Sequence, residues 1–131
     1  MREIKFLAYV NNPIHGKGVF PVKSIHFDPF VCEIVMGDEI VNFFDFDDIA
    51  LLEYTGLKDK NGKEIYEGDI VKFHFPNPYN TVVKFKNGHF AFYKGKRMMV
   101  APYYYTNHVW SYAEVIGNIY EHPHLLGGEE E

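Results

Sequence analysis

Asp45, Asp47 and Asp48 fall within a span of four residues, and convergent carboxylates are what a hard cation such as Mg²⁺ needs for phosphoryl chemistry. In a strand Asp45 and Asp47 share a face, so a metal-dependent hydrolase is one reading. Solvated edge charges or a helix cap explain the same residues. His122 and His124 flank Pro123; extended backbone would aim both imidazoles one way, as a zinc site requires, but only two ligands are local and a polar turn accounts for them. The stretch DKNGKE, starting at Asp59, fails as a calcium loop, which needs Gly at the sixth position and a bidentate Glu at the twelfth. Here Gly62 is fourth and Ile70 is twelfth. Cys32 lies in VCEIV with no basic neighbour to lower its pKa, which suits a small buried residue better than a nucleophile. Gly16 and Gly18 lack the third glycine of a nucleotide loop, and no Ser sits in a nucleophile elbow. No catalytic residue, resident metal or cofactor is therefore assigned, and the protein is expected not to be an enzyme.

The charges are distributed unevenly. From Ser24 to Leu57 there are eight acids and no Lys or Arg; from Ile70 to Ala113 there are six bases and no Asp or Glu. The basic block alternates cations with rings: Lys84, Lys86, Lys94, Lys96 and Arg97, then the run Tyr103, Tyr104, Tyr105. Cations can track phosphates while exposed rings stack bases, so single-stranded nucleic-acid binding is one alternative, although a net charge of −5 weighs against it. Lysines on edge strands also serve simply to block sheet-to-sheet aggregation. The preferred reading uses both blocks: oppositely charged halves pack within a chain or between chains, where head-to-tail contact makes rings or filaments. Consecutive tyrosines point to opposite faces, and tyrosine is favoured at interfaces. The expected partners are a second copy or a foreign protein, contacted through the basic and tyrosine-rich surface.

The elements that would carry these residues read mostly as strands. REIKFLAYV alternates apolar and polar positions; NNPIHGKG, residues 11–18, reads as a loop. VFPVKSIHF, FVCEIVM and EIVNFF follow as a β-meander, with Gly37 and Asp38 suited to a two-residue hairpin. FDFDDIALLEY is ambiguous: Asp47 can cap a short helix through Tyr54 with Gly56 closing it, or the stretch can continue the sheet. Around residues 57–65 the charges choose a register. A two-residue turn at Asn61 and Gly62 sets Lys60 against Lys63, whereas a loop of Lys60, Asn61 and Gly62 pairs Asp59 with Lys63, Lys58 with Glu64 and Leu57 with Ile65. Gly68 and Asp69 read as a second tight turn. Asn87 and Gly88 form the strongest hairpin signal, pairing Phe85 with Phe90 and Val83 with Phe92. KGKR turns again, and YAEVIGNIYE is a last strand in which Gly117 marks a bulge or a close backbone approach.

With 131 residues, 18% of them aromatic, a single all-β domain is expected. The C-terminal half would form a small SH3-like or partly open barrel packed with an N-terminal meander sheet, with at most one or two short helices. Sub-sheets over 1–53 and 54–126 and a loose acidic tail over 127–131 complete this expectation. One cysteine excludes an internal disulfide, and no uncharged run approaches the roughly 20 residues of a membrane helix, so a cytoplasmic site away from membranes is expected.

YTGLKDKNGKEIYEGDIV from Tyr54 to Val71, EVIGNIYEHPHLL from Glu114 to Leu126 and the opening MREIKF resemble the YopX family, small proteins of bacteriophages and prophages. The resemblance implies an all-β domain, a phage-related origin and the cytoplasm of a bacterial host. It carries no established activity and no catalytic residues. Its signature positions Gly56, Asp59, Asn61, Gly62, Gly68 and Asp69 are those the turns demand; the alternative is a phosphate or peptide contact through Asp59 or Asn61.

Overall fold

A computed structural model describes residues 3–37, 40–74, 77–100 and 112–127, without the side chains of residues 40, 41 and 100. Tyr103, Tyr104, Tyr105 and the acidic tail from residue 128 lie outside them. The described chain is all-β, with eleven strands and two single 3-10 turns. Its described residues divide into two compact units, one within 3–54 and one from 55 onward.

In the first unit β1 (Phe6–Asn12), β2 (Gly16–Phe27), β3 (Phe30–Met36) and β4 (Ile40–Asp45) form an antiparallel meander. β5 (Ile49–Lys58) returns beside β1, giving the order β4-β3-β2-β1-β5. Alternation along β3 decides its core face: Cys32, Ile34 and Met36 are buried and pack with Ala8, Val10 and Phe44. Cys32 is fully buried, and that burial pushes its thiol pKa up, as expected of an inert packing residue. Two local expectations need correction, and at the ambiguous stretch after Phe44 the sheet reading holds. The loop after β1 is shorter than residues 11–18, because the Asn12 side chain accepts hydrogen bonds from the Ile14 and His15 amides at 2.8 Å and turns the chain within three residues. Pairing of Met36 with Ile40 leaves three residues between β3 and β4, so the connection is not the two-residue hairpin read from Gly37 and Asp38. The Asp47 helix does not form. Only Phe46–Asp48 makes a 3-10 turn, and Ile49 onward pairs with β1 because IALLEY offers β1 two usable faces.

In the second unit the later half of β5 pairs with β6 (Glu64–Tyr66). The Asp59 amide donates to the Lys63 carbonyl at 2.8 Å, the Gly62 amide to the Asp59 carbonyl at 3.0 Å, and Gly62 sits at φ 83°. That is a type I turn closed by a left-handed glycine, the three-residue loop in which charge pairing places opposite signs together. The next connection, before β7 (Asp69–Phe73), uses Glu67 and Gly68 rather than Gly68 and Asp69; Asp69 opens the strand, and its carboxylate accepts from the Tyr66 amide at 2.8 Å.

β8 (Tyr79–Lys86), β9 (His89–Lys94), β10 (Arg97–Val100) and β11 (Ala113–Asn118) complete a five-stranded sheet of order β10-β9-β8-β7-β11. Asn87 at φ 53° and Gly88 at φ 85° make the primed two-residue turn, and Phe85 faces Phe90, and Val83 Phe92. Phe92 and Val83 are buried with Ile65, Val71, Phe73, Phe90 and Ala113; burying such a phenylalanine stabilises by about 1.5–3 kcal/mol. The sheet is open. Among the described residues no ladder joins β10 to β11, so of the two forms expected, SH3-like or partly open, closure is not seen and the sheet ends in two terminal strands.

Gly117 lies at the bulge its position suggested, and what approaches it closely is a side chain rather than backbone. The β11–β7 register shifts between Val115 and Gly117, and a Cβ at 117 would lie 2.7 Å from His122 Nδ1 and 3.0 Å from His122 Cβ. Gly117→Ala should therefore lower stability in urea unfolding by about 1–3 kcal/mol, and adding His122→Ala should restore most of the loss. No recovery in the double variant would show that the clash is not the cause.

Candidate functional site

The basic block does not form one face. Lys84 pairs with Ala91 and Lys86 with His89, so these four share a face with Tyr93, while Lys94 and its partner Arg97 fall on the other by register. On the first face the ammonium groups of Lys84 and Lys86 stand 5.5 and 5.1 Å from the centre of the Tyr93 ring. Tyr93 is only 6% exposed beneath them, so its ring is unavailable to stack a base. Phe92 is core, whereas Phe85 is 48% exposed and rests edge-on against Phe90. Lys96 occupies the apex of the β9–β10 loop, with Gly95 at φ 63° beside it. Lys96 and Arg97 are exposed and meet no carboxylate among the described residues.

The first unit holds an arrangement the sequence reading missed. Phe27 and Phe30 pair across the two-residue Asp28–Pro29 connection, on the face that further along the hairpin carries Ile25 and Cys32. Past the end of that core they have no cover: Phe27 is 69% and Phe30 60% exposed. Both rings lean on Phe46, at 6.1 and 5.5 Å between centres, and Phe46 in turn packs on the core. Beside them is a hollow of about 360 Å³ lined by Phe30, Asp45, Phe46 and Asp47. Asp45 ends β4 and Asp47 lies in the 3-10 turn, so they are not alternate residues of one strand, yet they border the same space. Asp28, Asp45, Asp47 and Asp48 are exposed and have no basic partner among the described residues.

Two histidine groupings resemble chemistry without the geometry for it. The Ser24 hydroxyl donates to Glu33 Oε1 at 2.6 Å and lies 3.0 Å from His26 Nε2. The serine, not the histidine, is central, so no carboxylate orients the imidazole as a proton relay needs. His122 and His124 do not lie on extended backbone as the zinc reading requires: residues 123–126 form a 3-10 turn, the rings are 6.2 Å apart between centres, and His122 Nδ1 accepts from the Asn118 amide at 3.1 Å. Among the described residues no group of three or more His, Cys, Asp or Glu side chains could hold a metal ion. Among them, too, no helix is long and apolar enough to cross a membrane.

The family model described as YopX protein matches residues 26–127, which is 102 of the 131 residues. The chain belongs to the YopX family. The crystal structure of protein EF1440 from Enterococcus faecalis is similar to it, with a TM-score of 0.65 over 96% of this chain and 99% of that one. At 22% identity that likeness concerns the fold alone. No curated protein matches the chain.

In this YopX chain the signature stretch is occupied by its own backbone. Asp59 is 6% exposed; its Oδ1 accepts from the Asn61 and Lys63 amides at 2.8 and 2.9 Å, and its Oδ2 accepts from the Val115 amide at 2.8 Å. The Gly68 amide donates to the Val83 carbonyl, and the Gly68 carbonyl accepts from the Ile119 amide. Three of the four acceptor directions of the Asp59 carboxylate are thus taken by the fold.

Proposed function

We propose that this YopX-family chain is a non-catalytic binding module that works by protein–protein contact, with a second copy or with another protein. The observation that carries the reading is the exposed aromatic group of Phe27 and Phe30 propped on Phe46 beside unpaired carboxylates. Large contiguous apolar surface on a folded protein marks an interaction site, and aromatic anchors dominate protein interfaces. The basic residues Lys84, Lys86, Lys94, Lys96 and Arg97, with the Tyr103 to Tyr105 run, remain part of the proposed contact surface. The nucleic-acid alternative draws less support, since Tyr93 is covered by its lysines and the cations divide between two faces. A phage-related, cytoplasmic setting belongs to the same proposal and rests on the family resemblance.

The test is light scattering across a concentration series, joined to anisotropy titrations with a Lys- and Arg-rich peptide and with a single-stranded oligonucleotide. The expected result is a mass above that of the monomer, or peptide binding that Phe30→Ser weakens. A constant monomer that ignores the peptide ends the reading. Oligonucleotide binding that falls steeply with salt puts nucleic acid in its place.

A further inference from the structure

We infer that the hollow beside Phe30 and Phe46 in one copy receives the cationic β9–β10 hairpin tip of a second copy. This rests on the protein-contact reading above and names the occupant.

The hollow joins two carboxylates, Asp45 and Asp47, to the rings of Phe30 and Phe46. Carboxylates and ring faces together select a long cationic side chain: the charge meets the carboxylate, and the guanidinium or ammonium lies over the ring. The chain already uses this pairing internally, with Lys84 and Lys86 on Tyr93 and with Lys5 on Tyr54 at 4.9 Å. About 360 Å³ lies near the lower end of ligand pockets, roughly 300–1,000 Å³, so the space suits one or two side chains rather than a helix or a strand.

The β9–β10 tip has the matching form. Lys94 pairs with Arg97 across a loop of only Gly95 and Lys96, which holds Lys96 and Arg97 at the end of a narrow hairpin. Neither meets a carboxylate among the described residues, and Met98, 46% exposed, supplies apolar surface next to them. Hollow and tip are different surfaces of the same chain. Joined in one direction, hollow to tip, copies continue head to tail; joined reciprocally, they close a two-fold dimer, and either arrangement raises the mass. A contact of one hairpin tip is small, so association is weak, reversible and screened by salt over about 8–10 Å.

Sedimentation velocity at low salt tests this with three proteins: the wild type, a tip reversal Lys96→Glu with Arg97→Glu, and a hollow reversal Asp45→Arg with Asp47→Arg. Wild-type average mass is expected to climb with concentration and to fall back towards the monomer at high salt. Each reversal alone sets like charges together and should remain monomeric. Mixed one to one, the two reversals present an acidic tip to a basic hollow and a basic tip to an acidic hollow, so association should return; that recovery also demonstrates that both variants are folded. A wild type that stays monomeric overturns the inference, as do reversals that leave association intact or a mixture that fails to recover it. In all three cases binding of the basic peptide leaves the broader reading standing, and loss of both removes it.

Discussion

Asp59→Ala is expected to lower the melting temperature by roughly 10–20 °C, the largest effect of any substitution in the YopX signature stretch. Its carboxylate is almost fully buried and accepts three backbone amides, two from its own turn and one from Val115, 56 positions along the chain. Removing it leaves those donors without partners. Asn61 and Lys63 are exposed and their amides can turn to water, whereas Val115 sits at the β11 bulge, held in place by the Asp59 bond and by the Lys60 amide donating to Ala113. A buried donor left unpaired costs about 1–3 kcal/mol, and hydrogen bonds to a charged acceptor contribute about 1.5–3 kcal/mol each, so a total of about 3–5 kcal/mol is reasonable. For a chain of this length each kcal/mol moves the midpoint by about 4 °C, and the total is a large part of a domain's usual 5–15 kcal/mol. Asp59→Asn keeps one acceptor oxygen and should lose about half as much. Thermal unfolding followed by circular dichroism measures both. A melting temperature for Asp59→Ala within a few degrees of the wild type would mean that the aspartate is not structural, and would return it to the phosphate or peptide contact considered from the sequence.

The contact from Asp59 to Val115 was invisible in the sequence, while the turn around Asp59 was readable. Asp59, Asn61 and Gly62 announce a turn because side-chain capping and a left-handed glycine act within four residues, and the charge pairs around them choose the register. Asn87 and Gly88 are legible for the same reason. No local rule says that Asp59 reaches Val115, since that contact exists only when β11 is placed beside β7. IALLEY failed to declare itself because its apolar positions satisfy either period, and pairing with β1 decides the matter. Closure of a barrel depends likewise on whether the terminal strands meet, which strand patterns do not encode.

The candidate site was half legible. The Asn87–Gly88 register already fixed which face each lysine takes: if Lys86 opposes His89, Lys94 must fall opposite in parity to Lys84 and Lys86. By that count the basic block makes two surfaces rather than one. The aromatic hollow left a weaker trace, in Phe27 and Phe30 flanking Asp28–Pro29 and in Phe46 between two aspartates. What turns these rings into a surface is that the core ends before Phe27 and Phe30, a fact of the first unit's packing.

Asp69 carries the second large effect, and its sign is opposite to that of most carboxylates. Burial pushes its pKa up from 3.8 to about 7, with Asp59 adding to the rise and the Tyr66 amide and Lys63 opposing it. Below pH 4 the group is protonated in both folded and unfolded chains and has no influence on stability. As pH rises from about 4 the unfolded chain gives up the proton while the folded chain retains it, so stability falls with each step until the folded group ionises near pH 7. Three units of difference correspond to about 4 kcal/mol at the upper bound, or roughly 10–15 °C. Other carboxylates titrate in the same range, so the decisive quantity is the difference between wild type and Asp69→Asn, whose amide oxygen can still accept from Tyr66. The two should melt together near pH 4, and the variant should become the more stable as pH rises to 8. Parallel melting curves across that range, or a variant less stable at pH 8, would mean that the Asp69 carboxylate is charged and paired in the folded turn and stabilises it.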